Sequence, residues 1–340
     1  MASIVYQVAQ ALTEINFIGQ SKKDARKNKN AGIHSIKQIK ETLSAAQNFG
    51  KWVRDHFGVL SIYELKEEHY TAYMEHLKEL GRSIGHQQNV ETALGHLQKA
   101  MNIRSKRLGY EAAMFVPDKR ITNWRELKKA EDRSYSQQEF ESLLPFLSAN
   151  VRDAVLLERF IGLRVREACY VLVHHFKLQP DGTYKLKISS EEAGGITKGG
   201  RYRITPVPTH FTYEIKRLLK EKSPNDRMIP IEPSTVRKGV NRACKRAGIE
   251  QEGRGTHGFR HLYCRDRLSE LLVAEHIEIE GKMMLERIMS NRDVGRKADY
   301  GILTDHDKEI YRKLKSIIDT IHEEIGHGED RWDLAERYLR

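Results

Sequence analysis

One interruption constrains how this chain can fold. Over most of its 340 residues, apolar side chains recur at spacings of three and four, the mark of helices with one buried stripe. Between about residues 184 and 207 the spacing gives way to alternation. It shows in Tyr184-Lys185-Leu186-Lys187-Ile188 and again in Arg203-Ile204-Thr205-Pro206-Val207, with Pro180-Asp181-Gly182 supplying a turn ahead of both. A chain with this pattern is mainly α with a small β-sheet confined to its middle. It is also long for one compact domain and comfortable for two.

The punctuation suggests where the parts lie. Residues 1–30 close on Ser21-Lys22-Lys23-Asp24-Ala25-Arg26-Lys27 and read as a basic arm. Its Lys22, Lys23, Arg26 and Lys27 are either solvated or in contact with phosphate. Residues 31–118 read as a bundle of four or five helices. One apolar stripe runs Ile36, Ile39, Leu43, Ala46, Phe49, Val53 and stops at Gly58. Tyr70, Tyr73, Met74 and Leu77 repeat it before Gly81, and Val90, Leu94, Leu97 and Met101 repeat it again. The outer faces carry basic residues, among them Arg104, Lys106 and Arg107. Residues 119–134 form a charge-dense linker. Ser136 three residues before Glu139 is a capping-box signature that opens a second, α+β domain over 135–320. Residues 321–340 remain as a C-terminal tail or helix.

The chain carries a formal net charge of +11 with a pI near 9.4, and +8 of that falls in residues 1–130. A basic half of this kind suits a polyanion. No stretch approaches the roughly 18 apolar residues that a spanning helix needs, so nucleic acid is favoured over membrane. The first residues lack the basic and apolar regions of a signal peptide, and Cys169, Cys244 and Cys264 are too few and too scattered for a disulfide framework. A reducing cytoplasm fits both observations.

Four features of the second domain carry chemistry when taken together. Gly162-Leu163-Arg164-Val165-Arg166-Glu167 places a carboxylate three residues after an arginine, on the same helical face. Thr197-Lys198-Gly199-Gly200-Arg201 looks like a lysine at a hairpin tip, and it lacks the Gly-Lys-Ser/Thr order of a phosphate-binding P-loop. Thr256-His257-Gly258-Phe259-Arg260-His261 puts His257 and Arg260 on one face, with Thr256 placed to cap the helix. His257 and His261 have chelating spacing but no third ligand beside them, so no metal is expected. The fourth feature is Tyr300. Two guanidiniums suit the charge of a pentavalent phosphate. A lysine can protonate a departing oxygen, a histidine beside an arginine is a reasonable base or phosphate ligand, and a tyrosine can form a reversible covalent bond.

The order Arg, Glu, Lys, His-x-x-Arg, Tyr resembles that of the tyrosine recombinases, the phage-integrase and Xer-like site-specific recombinases. Arg164 to Glu167 resembles that family's first arginine box, Lys198 its hairpin lysine, and His257 to Arg260 its His-x-x-Arg box. The family has a Leu-Gly-His box nine residues before its tyrosine. That register puts Asn291, in Met289-Ser290-Asn291, in place of the ring and makes Tyr300 the nucleophile, ahead of Tyr311. The stretch between Arg260 and Asn291 is longer than the family's and includes an acidic, exposed insertion at 275–280.

The resemblance implies a helical core-binding domain and a catalytic domain that together form a C-clamp around duplex DNA. It implies cleavage and rejoining through a 3′-phosphotyrosine at Tyr300. Arg164, Arg260, His257 and Asn291 would hold the phosphate, Lys198 would serve as acid and Glu167 as support, and Arg201 and the basic arm would contact DNA. No cofactor or metal is implied. The partner would be a recombination site of inverted-repeat type in a mobile element, bound by four copies of a chain that is monomeric or weakly dimeric when free, at the nucleoid. Ile317, Ile318, Ile321 and Ile325 offer an apolar face either to a neighbouring copy or within the chain. A weakened or inactive DNA-binding member of the same fold and a topoisomerase IB-like nicking enzyme remain as alternatives.

Overall fold

The computed structural model describes residues 2–20, 32–123, 131–198 and 200–339. The chain divides into two compact units, Met1–Lys129 and Ala130–Arg340.

The first unit is helical. Helix α1 spans Ile4–Leu12, α2 Ile36–Phe57, α3 Glu67–Glu79 and α4 Ile84–Leu108. Ser35 and Ser83 cap α2 and α4, each accepting a backbone N–H of the first turn, and Gly58 and Gly109 end them in the left-handed region. The apolar stripes seen in the sequence meet in one core with Phe49, Val53, Tyr70, Leu94, Leu97 and Met101. Inside it the Tyr70 hydroxyl donates to Glu91 at 2.9 Å, and Glu91 also accepts the Ile121 N–H.

One expectation needs correction here. Residues 4–12 are not part of an arm, because Ile4, Val8, Ala11 and Leu12 are buried against α2 and α4. Lys22, Lys23, Arg26 and Lys27 lie outside the described residues. The break between units comes at residues 129 and 130, inside the stretch read as a linker.

The second unit has two cores that share a helix. Helices α5 (Gln137–Leu143), α6 (Ala149–Ile161), α7 (Val165–Tyr170), α8 (Thr212–Leu219) and α9 (Pro233–Arg246) surround the first, together with the sheet. Strands β1 (Phe176–Leu178), β2 (Tyr184–Ile188) and β3 (Arg203–Pro206) run antiparallel in the order β1-β2-β3, with Leu186 opposite Phe176 and Thr205. The capping box is present: Ser136 Oγ accepts the Glu139 N–H and Glu139 accepts that of Ser136. Helix α10 (His257–Ala274) turns its other side to α11 (Glu278–Asp293), α12 (Asp305–Glu324) and α13 (Trp332–Tyr338), which enclose the second core.

One further expectation changes and two open alternatives are resolved. Thr256 precedes α10 without a side-chain capping bond. Ile317, Ile318, Ile321 and Ile325 are buried within the chain, so they do not form a face for a neighbour. Residues 321–340 are not a loose tail, since Leu334, Ala335 and Tyr338 of α13 belong to the same core. Within the acidic segment only Ile277 is buried.

Gly162 joins the two cores. It ends α6 at φ 62°, and a Cβ there would stand 2.4 Å from the Tyr263 ring of α10. Gly162→Ala would combine backbone strain with overpacking, a loss of about 2–5 kcal/mol. Urea unfolding checks this, and an unchanged midpoint would contradict it.

Candidate active site

A single buried carboxylate organises the site. Glu167, 1% exposed on α7, accepts the Arg164 backbone N–H at 2.8 Å and Arg164 Nη1 at 2.7 Å. It accepts Arg203 Nη1 of β3 at 2.5 Å, and Arg260 Nη1 of α10 lies 3.5 Å away. Burial works to raise its carboxyl, but Arg203, Arg260 and Arg164 outweigh burial and hold it below its ordinary value. The four side chains arrive from α7, β3 and α10, so none of these pairs except Arg164–Glu167 has local spacing.

Backbone carbonyls complete the arginine shell. Arg203 Nη2 donates to Ile161 O at 2.7 Å, Arg260 Nη1 donates to Gly162 O at 2.7 Å, and Arg260 Nη2 donates to Ile325 O. Ile161 and Gly162 close α6 and Ile325 closes α12, so these carbonyls are ones their helices leave unpaired. They also lie at the negative ends of the helix dipoles, which favours cations. Burial lowers Arg203 to about 10. Burial also works against charge on Arg260, yet Tyr338 and Glu167 raise it overall.

Beside the arginines stands Tyr338, on the last turn of α13 and 3% exposed. Its hydroxyl lies 3.2 Å from His257 Nε2, and the Arg260 guanidinium carbon lies 5.7 Å from its ring centroid. Its ring neighbours include His257, His261 and His327, with centroids at 5.6, 4.7 and 6.0 Å. His327 Nε2 accepts Arg164 Nη2 at 2.9 Å, because a guanidinium has only donors to offer. Burial first, then Arg260 and other nearby cations, lowers His257 to about 3. Burial, then Arg260 and Arg164, lowers His327 to about 2. Both rings are therefore neutral near pH 7, and His257 Nε2 shares a hydrogen bond with the Tyr338 hydroxyl.

The structure brings Arg164, Glu167, His257 and Arg260 together, and it does not bring Asn291 or Tyr300 to them. Tyr300 is 53% exposed, with Arg296 4.4 Å over its ring. Asn291 Nδ2 donates to Tyr300 O at 2.8 Å, which ties down its own loop. Among the described residues, no hydrogen bond or ring contact joins either of them to the arginines. Tyr311 packs on Trp332 at 5.8 Å. Asn291 lies on the last turn of α11, and Tyr300 lies in the turn that joins α11 to α12. The nine-residue spacing is thus spanned by a helix end and the turn after it, tied together by the Asn291–Tyr300 bond.

His327, Tyr338 and Arg203 were missed. Ile325-Gly326-His327, 67 residues after Arg260 and followed eleven residues later by Tyr338, was the available signal for the first two. Lys198 sits exposed on the β2–β3 connection, and Arg201 is close enough to help depress His327. Arg104 and Arg107 both face Glu14, at 3.6 and 2.6 Å, while Lys106 is exposed.

One buried group near the cluster carries no proton-accepting duty. Burial pushes the Glu158 carboxyl on α6 well above its ordinary value, against the pull of Arg237. A group whose pKa rises on folding contributes stability below its unfolded value, near 4.5, and loses that contribution as pH rises. Glu158→Gln keeps the shape without the titration. Its stability relative to the parent should therefore grow from about pH 5 to about pH 8. Urea unfolding across that range checks this, and a difference independent of pH would contradict it.

No protein-family model and no curated protein sequence matches the chain. Solved structures do. XerH site-specific recombinase bound to its difH substrate matches with a TM-score of 0.54 at 17% identity, over 98% of this chain and 86% of that one. A lambda integrase dimer bound to a COC′ core site matches at 0.57 and 14% identity, over 97% and 76%. The Tn1549 transposon integrase in complex with a circular intermediate DNA matches at 0.54 and 11% identity, over 99% and 95%. All three are tyrosine recombinases, and at these identities what they share with this chain is architecture. The chain has the fold of the tyrosine recombinases.

Proposed function

We propose that this chain cleaves and rejoins duplex DNA through a covalent 3′-phosphotyrosine, with Tyr338 as the nucleophile. The observation that carries this reading is the Tyr338 hydroxyl, 3.2 Å from a neutral His257 and beside Arg260, in the chamber ordered by Glu167.

The chemistry follows from the donors and acceptors in place. The negative charge of the bound phosphate offsets Arg260 and Arg164 and returns basicity to His257. As Tyr338 Oη bonds to phosphorus, its proton therefore passes to His257 Nε2. Arg164 and Arg260 offer fixed forks to the non-bridging oxygens, and His327 lines the same pocket. The bond from phosphorus to the 5′ oxygen breaks, and Lys198 gives that oxygen its proton. Attack by a 5′ hydroxyl on the phosphotyrosine reverses each step. The bond energy is kept in the protein–DNA link, so no nucleotide is consumed. Glu167 and Arg203 position the two reactive arginines and do not touch the phosphate.

The net positive first unit, with Lys106 exposed on α4, and Arg201 near the pocket suit phosphate contact outside the reacting group. The further reading is a site-specific recombinase of a mobile element, working as four copies on paired sites of inverted-repeat type at the nucleoid.

The test is covalent trapping on a nicked duplex that carries the site recovered by selection with the full chain. Tyr338→Phe should abolish trapping, while Tyr300→Phe and Asn291→Ala retain it. Trapping that survives Tyr338→Phe, or that is lost only in Tyr300→Phe, would overturn the assignment. No trapping by the parent chain would favour a DNA-binding protein without cleavage.

A further inference from the structure

The β2–β3 connection that carries Lys198 is tied down just after β2. Its first turn is closed by Glu192, which accepts Ser189 Oγ at 2.7 Å while Ser189 Oγ accepts the Glu192 N–H at 3.3 Å. Glu192 also meets His174, from the turn ahead of β1, at 2.7 Å. His174 Nδ1 lies 2.9 Å from Pro224 O. The two ring nitrogens of His174 thus stand against two acceptors on different segments, Glu192 and Pro224 O, and the ring bridges them. The Ser189 hydroxyl first, and then His174, holds Glu192 down at about 2.

From Glu192 the chain runs on to the lysine without slack. The Ala193 side chain is buried, and Ala193 O accepts the Ile196 and Thr197 N–H groups at 3.1 and 3.0 Å. Arg166 Nε, one residue from Glu167, donates to Gly195 O at 3.0 Å. Thr197 Oγ1 donates to Arg201 O at 2.8 Å, across the turn that holds Lys198. Each bond passes the position of Glu192 to the next residue.

The same corner could be taken for a metal site, since His174, His175 and Glu192 bring their polar atoms within 4.8 Å of one another. The tautomer argues against it. His175 Nδ1 accepts the Leu172 N–H at 2.9 Å, so the hydrogen of the neutral ring sits on Nε2, and that nitrogen has no lone pair to offer.

We propose that the hydrogen-bonded pair His174–Glu192 is a latch that positions Lys198 for proton delivery to the departing 5′ oxygen. This rests on the reading of Lys198 as the proton donor. His174 and Glu192 are positioning residues and touch no reacting atom. A half-exposed pair of this kind adds little to global stability, so its loss is felt in the loop.

The test uses the full chain on the selected duplex in two forms. One has the ordinary 5′ oxygen at the scissile phosphate. The other has sulfur there, a leaving group that departs without a proton. His174→Ala and Glu192→Ala should slow cleavage of the oxygen duplex by about 10–100-fold, because the acid is misplaced. Both should cleave the sulfur duplex at close to the parent rate. Lys198→Ala should show the same rescue with a larger initial loss, and Tyr338→Phe should show none. Normal cleavage of the oxygen duplex by both latch variants would overturn the proposal. So would slow cleavage of both duplexes, which would make the pair merely structural. If Lys198→Ala is not rescued, it is the assignment of the acid that fails, and the latch fails with it.

Discussion

Everything at the site depends on how three guanidiniums share one carboxylate. Arg164, Arg203 and Arg260 converge on Glu167, and two of them are fully buried. At an effective dielectric near 20, like charges about 5 Å apart repel by about 3 kcal/mol per pair. Three attractions to one carboxylate are of the same size as those three repulsions. What is left to offset is the burial of the guanidiniums, which works against charge on Arg203 and Arg260. The remainder falls to helix ends, since α6 and α12 direct their last carbonyls at Arg203 and Arg260. Gly162 and Gly326, both at positive φ, let the chain leave each helix there without covering those carbonyls. The result is a buried positive cluster held in place by the fold itself, which is the form that electrostatic preorganisation takes.

The same field sets the state of the histidines. Burial and the arginines keep His257 and His327 neutral, and His261 is lowered to about 4 by burial. A neutral His257 is a proton acceptor, and a neutral His327 accepts from Arg164 without adding to the repulsion. Tyr338 lies among these rings because α13 is packed into the second core by Leu334 and Ala335. Apolar packing of a seven-residue helix thus places a hydroxyl within reach of the arginines.

Much of this was legible in the sequence wherever the relevant groups lie close along the chain. Arg164 with Glu167, His257 with Arg260, the Pro180-Asp181-Gly182 turn and the Ser136–Glu139 box are all local patterns whose geometry follows from one turn of backbone. Arg203 was hidden because the alternation of a strand shows which face a residue takes, but a charged residue on the inner face reads as an error until its partner from α7 is known. Tyr338 and His327 were hidden by distance along the chain, 78 and 67 residues after Arg260, with two helices in between. Helix α1 was missed because the charge run at 21–30 coloured the reading of the residues before it. Ile4, Val8, Ala11 and Leu12 carry a plain helical stripe.

The central claim is that the nucleophile belongs to α13, inside the chamber that Glu167 orders. Fragmentation mass spectrometry of the trapped protein–DNA adduct, after nuclease and protease digestion, reads this directly. The account predicts a nucleotide remnant on Tyr338. A remnant on Tyr300 or Tyr311 would contradict it.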